Sequence, residues 1–181
     1  MGRERFQRWY VFKFMALTGL IAGAGFIGIM KSAEFKERTK LLEDFLQMML
    51  GIKSHINYLR QPLSTISGWQ GSECRSKAFE MFDIIRTELC DKNAEIGEIW
   101  AQKVDEIYGD SPLDKEDREL LKYPGTFIGQ TDYENQKARF EYFEMRLKEK
   151  IEAARTDSDI KGSLYKKIGF FAGILAAIIF I

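Results

Sequence analysis

Histidine occurs once, cysteine twice and proline three times in 181 residues. One imidazole, His55, and two distant thiols, Cys74 and Cys90, supply no metal-ligand or redox spacing. The cysteines read as free thiols in a reducing compartment; a disulfide stays open, because both fall in one helical region. No glycine loop is placed to cradle phosphate, since Gly19, Gly23, Gly25 and Gly28 lie inside an apolar run. With no organised nucleophile, no metal cluster and no cofactor motif, an enzyme is not expected. Excess charge of either sign is also missing: 27 basic residues balance 27 acidic ones. That leaves no electrostatic case for a nucleic-acid partner. Strand-like alternation is absent throughout, so the expected fold is all-α.

Apolar sequence is concentrated in two places. Phe14–Met30 is uncharged, with Lys13 before it, Lys31 after it, and Trp9, Tyr10 and Phe12 where an interfacial aromatic belt would lie. Ile168–Ile181 is also uncharged and would extend about 21 Å as a helix. Leu164 and Tyr165 lengthen it if Lys166 and Lys167 snorkel to the headgroups. Both runs read as transmembrane helices. The rivals are a cleavable signal peptide at the first, against which no small-x-small site follows, and a buried core helix at the second. Neither run contains an ionisable residue, which argues against a proton or ion path and so against a small transporter subunit. The expected organisation is a basic tail over 1–13, a span over 14–30, a helical domain over 31–163 and a second span over 164–181. Basic residues beside both spans favour a cytoplasmic domain.

Between the spans the periodicity is helical. Leu42, Phe45, Met49, Ile52, Ile56 and Leu59 alternate spacings of three and four, a coiled-coil-like seam continuous with the first span. Pro62 ends that helix, and a loop follows at 67–72. Trp69 sits in the loop, either exposed for a partner or folded back on the core. Helices are expected over about 74–91, with Ala78, Phe82, Ile85 and Leu89 inward, and over 94–108, with Trp100 as a core anchor. Ser111, Pro112 and Asp114 read as the cap of a fourth helix, which Pro124-Gly125 kinks or interrupts and Gly129 ends. Thr131 to Glu134 read as a capping box for a last helix over 132–157, with Phe140, Phe143, Leu147, Ile151 and Ala154 inward. Residues 156–163 are a hinge or a frayed continuation. The whole is a bundle of about five or six helices. The acidic stretch Asp114–Glu119 is interleaved with bases and reads as a solvated helix face. Gly19 with Gly23, and Gly169 with Gly173, have the Gly-x-x-x-Gly spacing of helix contacts.

Two stretches of the C-terminal third stand out: Gly129-Gln130-Thr131-Asp132 with Gln136 and the helix that follows, and Tyr165-Lys166-Lys167-Ile168-Gly169-Phe170-Phe171-Ala172-Gly173. In both, the chain resembles the stage III sporulation protein AB family. The first span, its long helix, and Tyr58 followed by Pro62-Leu63 also fit. The sequence departs from the family at Pro124-Gly125 and in a longer basic start.

The resemblance implies a cytoplasmic domain similar to that of the type II secretion and type IV pilus inner-membrane platform proteins. It also implies a place, with other membrane subunits, in a sporulation channel on the mother-cell side of the outer forespore membrane. The implied partner is the complex's cytosolic secretion-type ATPase; homo-oligomers remain open. A platform protein of a true secretion or pilus machine is the alternative, though those usually hold two such domains. Docking on the membrane-distal end would gather Arg60, Trp69, Asp132, Glu134 and Gln136, with the plain alternative that Asp132 and Gln136 only secure a helix start.

Overall fold

A computed structural model describes residues 3–59, 76–91, 95–129 and 133–180; at several helix positions, chiefly within 3–21 and 57–59, only the backbone is described. Every element is helical: α1 (Arg3–Leu59), α2 (Lys77–Asp91), α3 (Ile96–Tyr108), α4 (Lys115–Lys122), a 3₁₀ turn (Tyr123–Thr126), α5 (Tyr133–Asp157), a π turn (Ser158–Gly162) and α6 (Ser163–Phe180). The chain divides into two compact units, Glu37–Ala154 on one hand and Met1–Lys36 with Arg155–Ile181 on the other. The expected continuity holds: one helix of 57 residues runs from before the first apolar stretch through the Leu42 seam.

In the unit Glu37–Ala154, α1 buries Leu41, Leu42, Phe45, Met48, Met49 and Ile52. That stripe is wider than the expected two-position seam, because α1 meets more than one neighbour and not a single coiled-coil partner. Phe45 is its centre, with ring centroids 6.3 Å from Trp100, 6.3 Å from Tyr108 and 6.1 Å from Phe143, all edge-on. Aromatic rings prefer such tilted contacts because a negative ring face attracts a positive ring edge. α2 contributes Ala78, Met81, Phe82 and Ile85, with the expected Leu89 only half-buried, and α5 contributes Phe140, Phe143, Leu147, Ile151 and Ala154, the whole face expected of it.

The start of α4 differs from expectation. Ser111 is not the cap: its hydroxyl donates to the Tyr108 carbonyl at 2.6 Å and so closes the turn after α3. Asp114 caps instead, accepting from Asp117 N at 2.7 Å, while Asp117 Oδ2 accepts from Asp114 N at 3.2 Å. This is a full capping box, built from two aspartates. Pro124 converts the end of α4 into the 3₁₀ turn. Proline has no N–H to give back to the helix. Trp100 Nε1 donates to the Leu121 carbonyl at 2.8 Å, so an indole supplies a bond to the last turn of α4. Gly125 lies against the same indole, where a Cβ would stand 2.7 Å from Trp100 Cβ. Gly129 takes φ 75°, the left-handed region that glycine tolerates best.

In the second unit, α1 and α6 meet through glycine. A Cβ on Gly28 would stand 2.6 Å from the Tyr165 carbonyl oxygen, and one on Gly169 would stand 2.8 Å from the Ala24 oxygen. Gly162 and Ser32 meet in the same seam, both buried. Among the described residues, a Cβ on Gly19 or Gly23 would meet nothing within 4 Å, so neither shows the close approach seen at Gly28. Outside the seam, large apolar side chains are exposed, among them Phe26, Ile27, Met30, Ile168, Phe170 and Phe171. Among the described residues, no helix is long and apolar enough to cross a membrane. Five residues of the first expected span (Phe14, Ala16, Leu17, Leu20, Ile21) and five of the second (Ala176, Ala177, Ile179, Phe180, Ile181) lie outside those with described side chains. The polar stretch after α5 is not frayed. It continues as the π turn, with Lys161 paired to Asp157 at 2.7 Å.

Candidate functional site

Two polar constellations stand on α1, α4 and α5 within the unit Glu37–Ala154. The reading of Asp114–Glu119 as a solvated face holds for Asp114, Lys115, Glu116 and Glu119, which are exposed, and fails at one residue. Asp117 is fully buried. Arg38 Nε donates to Asp117 Oδ2 at 2.6 Å, and Arg38 Nη2 donates to Asp117 Oδ1 at 3.0 Å and to Asp114 Oδ2 at 2.9 Å. A guanidinium fork matches this geometry, where a lysine would offer a single point charge. Lys150 Nζ lies 2.7 Å from Glu116 and 3.8 Å from Asp117. The cluster thus ties α1 and α5 to the start of α4. The Asp-x-x-Asp spacing carried the signal for the cap. The burial followed from Arg38, 79 positions away in sequence, which no local pattern reveals.

The second constellation lines an open groove on α1 and α5. Lys53 and Lys148 converge on Glu144 at 2.9 and 2.7 Å. The hydrogen bond from Lys148, then that from Lys53, hold the Glu144 carboxyl below the usual carboxylate range. Glu141, Met145, Glu149 and Glu152 complete the lining, and Met145 is half exposed. A third ionic link joins α2 and α3, where buried Lys103 reaches Glu88 and Glu106, both at 2.9 Å. Among the described residues, no group of three or more His, Cys, Asp or Glu side chains is placed to hold a metal ion.

Of the five residues expected at a docking end, Arg60, Trp69 and Asp132 lie outside the described residues. Glu134 is exposed on the first turn of α5. Gln136 is buried, and its Nε2 donates to the Phe127 carbonyl at 3.5 Å, fastening the start of α5 to the turn that precedes it.

The family model described as Stage III sporulation protein AB matches residues 13–181. The chain belongs to this family. No curated protein and no solved structure gives a significant match. Residues 1–12 of the basic start precede the matched region. That region includes Pro124-Gly125, where the structure shows the 3₁₀ turn closed by Trp100. A stage III sporulation protein AB is a component of the sporulation machinery, and its family is not a known enzyme family.

Proposed function

We propose that this chain is a non-enzymatic membrane adaptor of the sporulation stage III channel, docking a cytosolic secretion-type ATPase to the membrane assembly. The observation that carries the membrane half is the α1–α6 seam. Its glycines let two backbones touch while large apolar side chains face outward, the arrangement helices adopt in lipid. Water gives no reason to expose Phe26, Ile27, Phe170 and Phe171 together. The apolar runs at 14–30 and 164–181 then serve as two spans, with the bulk of the chain cytoplasmic on the mother-cell side of the outer forespore membrane. Family membership supports the ATPase half, and the bundle supplies charged helix surfaces for it.

The docking set within this proposal is Arg60, Trp69, Asp132 and Glu134, with Gln136 securing the start of α5. The test is binding of the complex's purified secretion-type ATPase to the full chain in lipid nanodiscs. Arg60→Glu and Trp69→Ala should weaken binding at an unchanged melting midpoint, while Gln136→Ala should lower the midpoint. Absence of ATPase binding by the native chain would overturn the adaptor reading. Native affinity in all the docking variants would overturn only the docking set.

A further inference from the structure

The α1–α6 seam fixes which lysines share a level. Gly28 meets Tyr165 and Gly169, and Ser32 meets Gly162. Lys31 therefore stands within about one helical turn, 5.4 Å, of the level of Lys166 and Lys167. This level divides the surface of the pair. Beyond it toward the apolar ends lie Phe26, Ile27, Met30, Ile168, Phe170 and Phe171, all more than half exposed. No acidic residue lies on that side in either run.

At the dividing level the charges are uneven. Lys31 is paired with Glu34 at 2.8 Å. Lys166 and Lys167 are exposed and, among the described residues, form no ion pair. Tyr165 stacks on Phe35, with centroids 5.8 Å apart and planes 26° apart. That stack pins the residue immediately before the two lysines and holds an amphipathic ring where a headgroup layer meets hydrocarbon.

We infer that Lys166 and Lys167, with Lys31 beside them, form a collar that binds the phosphate headgroups of anionic phospholipids. The proposal rests on the reading of these helices as membrane spans and adds to it a preference among lipids. Uncompensated lysines at the base of an apolar surface attract a negatively charged bilayer by about fivefold each. Neutral zwitterionic lipid offers them no such gain. An acidic segment of a neighbouring protein would satisfy the same charges, and a lipid-only assay separates that case.

The full chain is first reconstituted in pure phosphatidylcholine vesicles and floated after a carbonate wash. Wash-resistant flotation is expected. It is then placed in nanodiscs of equal phosphatidylcholine and phosphatidylglycerol, extracted gently, and its co-purifying lipid quantified by mass spectrometry. Phosphatidylglycerol should be enriched several-fold over input, and less so in 0.5 M salt. K166Q/K167Q should lower the ratio toward input while still floating and keeping its helical circular dichroism. Loss of the native chain from the floated fraction overturns the span reading and this proposal with it. Insertion with lipid at the input ratio overturns this proposal alone, as does undiminished enrichment in K166Q/K167Q.

Discussion

Asp117 illustrates how one carboxylate serves two structures at once. It completes the capping box of α4 and neutralises Arg38, and it has no access to solvent. Asp117→Ala strips a largely buried guanidinium of both its bonds to Asp117, and Asp114 beside it is half exposed. Removing one partner of a buried pair costs about 3–5 kcal/mol, and urea unfolding at neutral pH should show it. Asp114→Ala should cost less, about 0.5–2 kcal/mol, as the loss of a cap. Glu144 gives a pH signature. Its folded carboxyl titrates below the ordinary value because Lys148 and Lys53 favour the charged form. Its stabilising contribution is therefore present above the unfolded value of about 4.3 and is lost as pH falls through the folded one. Glu144→Gln should lower stability at pH 7 and flatten the acid limb of a stability–pH profile. An acid limb as steep as the native one would remove Glu144 as a cause.

For the elements, α3 and the 3₁₀ turn depend on the absence of a single methyl group. Gly125→Ala would place a Cβ 2.7 Å from Trp100 Cβ and 3.3 Å from Gly97 Cα. α3 must shift, at about 1–3 kcal/mol, and the hydrogen bond from Trp100 to Leu121 shifts with it. Differential scanning of that variant checks the cost. Helix by helix, period was readable and ends were not. Phe140, Phe143, Leu147, Ile151 and Ala154 announce the buried face of α5 through spacing alone. The cap of α4 was misplaced by three residues, since Ser-Pro has a local cap signature and only the fold turns Ser111 toward Tyr108. Gly28 escaped notice for a related reason. Spacing singled out Gly19 with Gly23 and Gly169 with Gly173; Gly169 does lie in the seam, but its partner Gly28 depends on how α1 and α6 align, and that alignment is not written in either helix.

For the whole molecule, the expected domain 31–163 contains the compact unit Glu37–Ala154. Residues 32–163 expressed alone should melt cooperatively, because Phe45, Phe82, Trp100, Phe140 and Leu147 are buried within that unit. Non-cooperative melting would show that the domain depends on the apolar ends. Orientation has its own test. If the bulk of the chain is cytoplasmic, a membrane-impermeant thiol reagent on intact cells should leave Cys74 and Cys90 unlabelled until lysis. Equal labelling before and after lysis would reverse the topology. The family was legible because its residues are consecutive, at Gly129–Asp132 and Tyr165–Gly173. The ionic core was not, since Arg38, Asp117 and Lys150 come from three separate helices.

The indole of Trp100 has a practical consequence for optical work. It is one of three tryptophans, sealed from solvent and hydrogen-bonded to a carbonyl. Such a fluorophore emits toward the blue and is sheltered from aqueous quenchers such as iodide. With Trp9 and Trp69 replaced by phenylalanine, the remaining emission would come from the junction of α3 and α4 alone. Red-shifted light from that single-tryptophan protein would time the parting of α3 from the 3₁₀ turn in a stopped-flow trace, with no attached dye.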